Sequence, residues 1–363
     1  MGVLAKTLLR VARATRRPEG ERWDPAWHIG PLRDPTRAET RYAAGWIWRH
    51  RRDLRWLHSR LADSASRDLL VDLLAHRLVG GRRVAFGPPR GTREGVTRFM
   101  RGCAGESLAD GSVRYDLLPV GLDLSVRAYG AFAIQTFVLE QYRHPDLPAA
   151  NVRPGDHVVD GGAFWGDTAL WLAEQCAPDG VVHAFEMDPA NHPVLEENLR
   201  ENASTGARVR VRHEALWDRR ERLGMRAAGA GSSVAGGGEA AEATTLDALV
   251  EAGALERVDF VKLDIEGAEL RALMGSQGTI RRFRPRFAVA AYHHWEDLFE
   301  LARWIAWVEP SYRFALTHQS LHQYDTVLFA WPGERPDPTG SAACPPSPPA
   351  EAGGAAPPAR SCR

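Results

Sequence analysis

The sequence predicts an α/β protein in which a mainly parallel sheet is covered by helices on both faces. Between residues 152 and 331, short apolar strand-like segments alternate with segments of helical spacing, a pattern typical of a parallel sheet with crossover helices. A glycine-rich turn joins the first strand to the first helix. Polar residues follow several strands, at the edge where open α/β sheets bind their ligands.

The elements of this region follow one another in a regular order. Seven strands are predicted at 157–161, 181–186, 209–214, 258–264, 287–293, 313–317 and 326–331. Helices are predicted at about 167–176, 190–201, 267–274 and 295–307. The glycine-rich stretch at 224–238 interrupts the alternation and predicts a flexible loop or a hairpin.

The region before the sheet, residues 23–150, is predicted to be mostly helical. Asp63 and Ser64 are typical helix-start residues, leucines recur after them at helical spacing, and Gly80 ends the pattern. Short strands are expected near 113–120 and 122–129, and a helix at 131–143. The predicted boundaries are therefore 1–22, 23–150, 151–331 and 332–363.

The two ends of the chain differ from its centre in composition. Residues 1–22 are basic and lack the long apolar run of a signal peptide, which favours a flexible leader over a helix lying on a membrane surface. Residues 332–363 contain nine of the 24 prolines, mixed with Ala, Gly and Ser. Such a segment buries too little apolar surface to offset its ordering entropy, so a disordered tail is predicted.

The composition of the 363-residue chain excludes several classes of protein. Lys plus Arg and Asp plus Glu both number 46, and this neutral balance argues against bulk nucleic-acid binding. No apolar run is long enough for a membrane span, so no integral membrane association is expected. The cysteines are scattered without a C-x-x-C pair, which favours a reducing, cytoplasmic compartment. They are Cys103, Cys176, Cys344 and Cys362.

The glycine-rich turn at 158–168 fits two kinds of cofactor. Spaced as Gly161-x-Ala163-x-x-Gly166, it approaches the dinucleotide-binding fingerprint. Spaced as Asp160-x-Gly162-x-x-x-Gly166, it suits S-adenosylmethionine, whose sulfonium and ammonium groups favour nearby acids. The two acids of the turn, Asp160 and Asp167, favour S-adenosylmethionine, although Asp167 could simply cap the following helix. In either case Glu186 would bind a ribose hydroxyl.

Three acids follow the fourth predicted strand, at the same edge as the glycine turn. Asp264, Glu266 and Glu269 would repel one another unless a cation is present, which is typical of a functional site. The alternative is that Glu266 and Glu269 only stabilise the first turn of a helix. Lys262 is one of only two lysines in the chain, could pair with one of these acids, and is a candidate catalytic residue.

Two adjacent histidines follow the fifth strand. Because successive side chains of a strand point in opposite directions, at most one of them is expected to reach the substrate, and His293 is favoured over His294. The ordinary pKa of histidine suits a general base, so His293 and Glu266 are the candidates for that role. His318 is a weaker candidate.

These motifs together resemble the FkbM family of S-adenosylmethionine-dependent methyltransferases. The resemblance runs from about 152 to 331 and rests on their order along the chain. The segments that carry it are Asp-Gly-Gly-Ala-Phe-Trp-Gly-Asp-Thr (160–168), Phe-Glu-Met-Asp-Pro (185–189), Thr-Thr-Leu-Asp (244–247), Lys-Leu-Asp-Ile-Glu-Gly-Ala-Glu (262–269) and Tyr-His-His (292–294).

The resemblance implies a class I, Rossmann-like methyltransferase sheet of seven strands with the last strand antiparallel. It implies that residues 160–168 hold the methionine part of the cofactor, that Glu186 holds the ribose, and that Asp264 closes the pocket. It also implies O-methylation of a hydroxyl or carboxyl on a small molecule, often a natural product or a sugar. The cofactor residues so expected are Asp160, Gly161, Gly162, Ala163, Phe164, Gly166, Asp167, Thr168, Glu186, Met187, Glu214, Ala215 and Asp264.

Several alternatives stay open at this point. A hydroxyl acceptor would need a base, whereas a carboxylate acceptor would need only arginines to position it. A divalent metal held by Asp264, Glu266 and a histidine is conceivable, but no local pattern supplies a full ligand set, so no metal site is predicted. The rival functions are a nicotinamide-dependent oxidoreductase and a non-catalytic binding module. The sequence predicts neither the acceptor nor the oligomeric state.

Overall fold

The N-terminal region is built from helices and one small antiparallel sheet. The computed structural model describes residues 2–13, 34–84, 86, 92–226, 229–234, 239–320 and 324–334. The elements of this region are α1 (Val3–Arg13), α2 (Arg37–Arg49), α3 (Arg51–Arg60), α4 (Ser64–Val79), α5 (Thr92–Gly102), β1 (Ala104–Ser107), β2 (Val113–Asp116), β3 (Ser125–Ala128) and α6 (Gly130–Phe137).

The central sheet contains seven strands, as predicted, in the order β13-β14-β12-β11-β4-β5-β6. β14 is antiparallel to both of its neighbours, and the other pairs are parallel. The strands are β4 (His157–Gly161), β5 (Val181–Phe185), β6 (Val209–Arg212), β11 (Phe260–Leu263), β12 (Arg286–Ala290), β13 (Tyr312–His318) and β14 (Thr326–Pro332). The helices of this half are α7 (Asp167–Gln175), α8 (His192–Glu201), α9 (Ala203–Gly206), α10 (Leu246–Glu251), α11 (Glu269–Met274), α12 (Gln277–Phe283) and α13 (Asp297–Val308).

The sheet separates two apolar cores, because successive side chains of each strand point to opposite faces. Val159 and Val261 lie in the core on one face, together with the N-terminal helices α1–α4 and the helices α10–α13. Val158 and Phe260 lie in the other core, together with α5–α8 and the small sheet. Both faces are therefore covered, which confirms the predicted fold class.

The glycine-rich stretch between strands 6 and 11 contributes a hairpin, one of the two forms predicted for it. β8 (Glu221–Arg226) and β10 (Glu239–Thr244) pair antiparallel, and the short strands β7 (Ala215–Leu216) and β9 (Ser233–Val234) complete a four-stranded sheet. Residues 227–228 and 235–238 lie outside the described residues, as does the tail predicted to be disordered from residue 335 onward. Pro332, predicted to begin that tail, is instead the last residue of β14.

Residues 3–13 differ from the flexible leader that the sequence analysis favours. They form α1, because one face of this segment finds a partner in α4: Val3 and Thr7 are buried, and the Arg10 Nε lies 2.6 Å from an oxygen of Asp72. Residues 14–33, which include the rest of the predicted leader, lie outside the described residues. Within the described residues, no helix is long and apolar enough to cross a bilayer.

Helix α6 ends six residues earlier than the predicted helix at 131–143. The chain leaves the helix after Phe137, and Glu140 adopts a left-handed backbone conformation with φ of 46°. This turn brings Tyr142 to the carboxyl edge of the central sheet, where its hydroxyl donates a 2.6 Å hydrogen bond to Asp264.

Two asparagines of α8 join the N-terminal region to the central sheet. The Asn198 side chain accepts a hydrogen bond from the Arg127 amide at 2.8 Å and donates to the Arg127 carbonyl at 2.9 Å. Asn202, at the end of α8, makes the same pair of bonds with Ser125. Both amides are buried, and they occupy the outer edge of β3 much as another strand would.

We expect Asn198→Ala to destabilise the whole chain. It removes the partners of the Arg127 backbone and of the Trp165 carbonyl at a fully buried position, which costs about 1–3 kcal/mol. Urea unfolding measures this loss. Gln277→Ala, which removes a surface amide, should change the free energy of unfolding by no more than about 0.5 kcal/mol. Equal losses for the two variants would contradict the role assigned to Asn198.

Candidate functional site

Two adjoining cavities open at the carboxyl edge of the central sheet. The first, of about 540 Å³, contains residues that follow β5 and β6; the second, of about 1130 Å³, contains residues that follow β4, β11 and β12. Four residues border both cavities and therefore mark the junction between them: Gly162, Phe164, Asp264 and Glu266.

The turn after β4 requires glycine at its tightest point. Gly162 has φ of 79°, and a Cβ there would lie 1.9 Å from the carbonyl oxygen of Asp264. Its amide and that of Ala163 both donate to the Phe185 carbonyl at 3.0 Å. The turn is thus fastened to the two neighbouring strands, and its side-chain-free surface faces both cavities.

A buried ion pair lies directly beneath this turn. The Lys262 Nζ is 2.9 Å from an oxygen of Asp160, and the two side chains are 2% and 0% exposed. The same ammonium donates to the carbonyls of Gly161 at 3.0 Å and Gly162 at 2.7 Å. The second Asp160 oxygen accepts from the Thr168 hydroxyl at 2.8 Å. Burial lowers the pKa of Lys262, but the nearby charges of Asp160 and Asp264 outweigh this effect and raise the pKa above its usual value. The ammonium therefore stays charged.

Glu186 connects the turn to the wall of the first cavity. One of its carboxylate oxygens accepts from the Phe164 amide at 2.8 Å, and the other accepts from the Asp188 amide at 2.8 Å. Burial raises the pKa of this carboxyl, although these hydrogen bonds oppose the shift. Met187 and Ala215 are close by on the same cavity wall.

The N-terminal region supplies part of the second cavity, through residues that the sequence analysis did not name. The Thr136 hydroxyl donates to Asp167 at 2.8 Å, the Gln135 amide donates to Asp325 at 3.2 Å, and Tyr142 donates to Asp264. No motif marks these residues, and the predicted continuous helix at 131–143 would not have turned Tyr142 toward the sheet.

Four titratable side chains meet at the floor of the second cavity. The His293 Nε2 is 3.5 Å from an Asp264 oxygen and 3.6 Å from a Glu266 oxygen, and its Nδ1 is 3.1 Å from Glu269. Glu266 has a left-handed backbone with φ of 55°, a strained conformation for a residue with a side chain. The structure therefore brings together the acids after β11 and the favoured histidine after β12. His294 contacts Asp297 instead.

The charges of this cluster shift its proton equilibria strongly. Burial and the neighbouring Asp264 raise the pKa of Glu266 to about 7. Burial lowers the pKa of His293, but Glu269, Asp264 and Glu266 together outweigh it and raise the value to about 10. With a pKa of about 10, the His293 imidazole is protonated at neutral pH. The carboxylates raise both pKa values, whereas burial acts with them on Glu266 and against them on His293.

The predicted site residues divide into those that line a cavity and those that lie behind it. Asp160, Gly161, Ala163 and Gly166 are not among the lining residues and lie behind the surface of the turn. The lining residues among those predicted are Gly162, Phe164, Asp167, Thr168, Glu186, Met187, Glu214, Ala215, Asp264, Lys262, Glu266 and His293. Six of the seven strands end one to three residues from the predicted position. The ends predicted at 186, 214, 264, 293, 317 and 331 lie at 185, 212, 263, 290, 318 and 332.

Comparison with known proteins identifies the domain. Residues 149–316 match the family model of the methyltransferase FkbM domain. The crystal structure of methyltransferase FkbM from Methylobacillus flagellatus KT aligns with a TM-score of 0.52 and 21% identity over 79% of this chain. The chain spans 60% of the length of that relative, and the likeness shows the shared fold. No curated protein matches this sequence.

Two further solved structures align with lower scores. Fibrillarin from Aeropyrum pernix, solved with bound S-adenosyl-L-methionine, has a TM-score of 0.35 and 14% identity over 62% of this chain and 91% of its own. The O-methyltransferase from Bacillus cereus in complex with SAH has a TM-score of 0.34 and 17% identity over 53% of this chain and 88% of its own.

We expect Lys262→Met to destabilise the protein by about 3–5 kcal/mol, because it leaves the Asp160 carboxylate buried without a cation. The double variant Asp160→Asn/Lys262→Met should recover part of that loss, since no buried charge remains. Chemical unfolding measures both. Arg222→Met breaks an exposed ion pair of the same 2.9 Å length and should change stability by less than about 1 kcal/mol. A Lys262→Met variant as stable as the wild type would contradict this account.

Proposed function

Since residues 149–316 match the family model of the methyltransferase FkbM domain, we propose that this chain transfers a methyl group from S-adenosylmethionine to a hydroxyl oxygen of a small molecule. The observation that carries the proposal is the pair of adjoining cavities: Glu186 lies on the wall of the first, and a cluster of acids with one histidine lies beside the second. The family match favours methyl transfer over the rival nicotinamide-dependent oxidoreductase.

The cofactor is proposed to lie across the junction of the two cavities. Glu186 would accept hydrogen bonds from the ribose hydroxyls, and Met187, Glu214 and Ala215 would surround the adenine in the first cavity. The bare surface of Gly162 lets the cofactor approach the turn closely. In the second cavity, Asp167 and Thr168 would face the methionine part. Asp160, Gly161, Ala163 and Gly166 do not line the cavity and would instead maintain the conformation of the turn.

Charge favours a hydroxyl over a carboxylate acceptor. Among the described residues that line the second cavity there is no arginine, and its cations, Lys262 and His293, already face carboxylates. A carboxylate acceptor would meet Asp167, Asp264 and Glu266 without a positioning cation. A neutral hydroxylated molecule, such as a sugar or a natural product, meets no such repulsion.

Glu266 is the proposed general base. It lines the cavity, and its raised pKa suits proton uptake near neutral pH. The acceptor oxygen would lose its proton to Glu266 and form the new O–CH₃ bond as the S–CH₃ bond breaks; the electron pair of that bond stays on sulfur, giving the neutral thioether. Without a bound cation, the protonated His293 would offset part of the negative charge of the acids around it. Lys262, whose donors are directed at Asp160 and two carbonyls, is proposed to position the turn and not to react.

The cytoplasm is the proposed location, on the strength of cysteine usage. The two cysteines within the described residues, Cys103 and Cys176, are buried and carry free thiols. Free thiols are typical of a reducing compartment. Methylation of hydroxylated small molecules there fits a role in secondary metabolism.

Calorimetry with S-adenosylhomocysteine tests the cofactor assignment. We expect the wild type to bind it and Glu186→Gln to bind it more weakly by roughly 10–150-fold, the equivalent of a lost charged hydrogen bond of about 1.5–3 kcal/mol. Glu251→Gln, an exposed acid on α10, should bind like the wild type. Binding of NADH without S-adenosylhomocysteine would overturn the assignment in favour of the oxidoreductase.

Substitution of Glu266 tests the proposed base. We expect Glu266→Gln to lower turnover about 10²–10⁴-fold, the usual contribution of a general base. Turnover is measured at saturating S-adenosylmethionine, so that a change in cofactor affinity is separated from loss of the base. The assay is a mass gain of one methylene on a panel of sugar and polyol acceptors, with matched carboxylic acids as the comparison. Unchanged turnover would remove Glu266 as base, and methylation of the carboxylic acids alone would contradict the hydroxyl assignment.

A further inference from the structure

We propose that Asp264, Glu269 and His293 form a binding site for a divalent cation of the Mn²⁺ type at the floor of the second cavity. The existence of this metal site does not depend on the proposed function, but the chemical role that we give to the cation rests on the proposed methyl transfer. The three residues come from different places in the fold: Asp264 follows β11, Glu269 begins α11, and His293 follows β12.

The geometry of these three residues suits coordination. Each offers one ligand atom, and the three atoms lie within 4.8 Å of one another. Ligands bound to one metal at about 2.0–2.2 Å stand roughly 3–4 Å apart, so only small side-chain rotations separate the observed arrangement from a coordination sphere. The imidazole lies between the two carboxylates, with its Nε2 3.5 Å from Asp264 and its Nδ1 3.1 Å from Glu269, and one of these nitrogens would bind the cation.

Hydrogen bonding within the cluster is incomplete, and this observation is independent of the distances. Glu269 is fully buried, yet its Oε2 has no hydrogen-bond partner, while its Oε1 accepts from the Ile265 amide at 2.8 Å. Both ring nitrogens of His293 are also buried without a hydrogen bond. Leaving such a group unsatisfied costs about 1–3 kcal/mol, and a bound cation would satisfy the carboxylate oxygen and one ring nitrogen together.

Protonation of His293 is the simplest alternative, and it explains less. An imidazolium offsets part of the negative charge, but its two N–H groups would be expected to make well-directed hydrogen bonds, and neither does. It also leaves Glu269 Oε2 without a donor. The sulfonium of the cofactor would offset part of the negative charge, but Glu269 lines neither cavity, so the cofactor would leave Glu269 Oε2 without a partner.

Hydrogen bonds from two tyrosines hold the Asp264 carboxylate in a fixed orientation, as expected for a metal ligand. Its carboxylate accepts hydrogen bonds from the hydroxyls of Tyr142 at 2.6 Å and Tyr292 at 3.1 Å. Carboxylates that bind metals are commonly held in this way by neighbouring donors. One imidazole nitrogen with carboxylate oxygens suits Mn²⁺ better than Mg²⁺, which prefers oxygen ligands alone.

The cation would assist methyl transfer as a Lewis acid. Asp264 and His293 line the second cavity, so the open coordination positions would face the acceptor. Binding of the acceptor hydroxyl to the cation lowers the pKa of that hydroxyl. Its proton passes to Glu266, the oxygen takes the methyl group, and the electron pair of the broken S–CH₃ bond goes to sulfur; the charge of the metal does not change.

Direct titration with MnCl₂ tests the site. The full-length protein is dialysed against a chelator and titrated while electron paramagnetic resonance measures free Mn²⁺. We expect one equivalent to bind with a Kd below about 1 mM, and Glu269→Gln and His293→Ala each to weaken binding about 10–100-fold. Glu251→Gln should bind Mn²⁺ like the wild type. Binding should persist with saturating S-adenosylhomocysteine.

The outcomes separate this proposal from the proposed function. A wild type that binds no Mn²⁺ below about 1 mM, or variants that bind it as tightly as the wild type, would overturn the metal site even if S-adenosylhomocysteine binds normally. Loss of S-adenosylhomocysteine binding with intact Mn²⁺ binding would instead overturn the proposed function. Because Glu269 is buried, Mn²⁺ should also raise the Tm of the wild type, a readout that needs no variant.

Discussion

The ion pair between Lys262 and Asp160 is the constraint on which the rest of the site depends. Two adjacent parallel strands, β4 and β11, end with opposite charges side by side, and the ammonium also holds the carbonyls of the turn that follows β4. A buried charge pair is tolerated only with such additional hydrogen bonds. It fixes the path of the glycine turn, and that path determines where the two cavities meet.

The second constraint is the surplus of negative charge at the carboxyl edge of the sheet. The acids after β11 lie near one imidazole, and burial together with their mutual repulsion raises the pKa of Glu266. A surplus of this kind is stabilised by bound cations, and the cofactor proposed for the site is itself a cation. Charge thus connects the choice of cofactor, the preference for a neutral acceptor and the proposed metal site.

The sequence predicted the sheet and the carboxyl-edge residues well, because both depend on local patterns. Strand periodicity and glycine spacing can be recognised from neighbouring residues, and Gly162 lies in the turn after β4 that this spacing predicts. The roles of Lys262 and Glu269 were not predictable, since each depends on a partner that only the assembled sheet supplies. Tyr142 was missed for a related reason: the helix that periodicity alone would have continued ends at Phe137, and the chain then turns through the left-handed residue Glu140.

The paired amides of Asn198 and Asn202 have a consequence beyond holding two regions together. A strand at the margin of a sheet presents unpaired backbone groups that can recruit a strand from another molecule. Along β3, the backbone groups of Ser125 and Arg127 already form hydrogen bonds with the two asparagine side chains, so this edge of the sheet needs no further strand to satisfy them. The protein thereby protects this margin of its small sheet from intermolecular aggregation by means of two side chains.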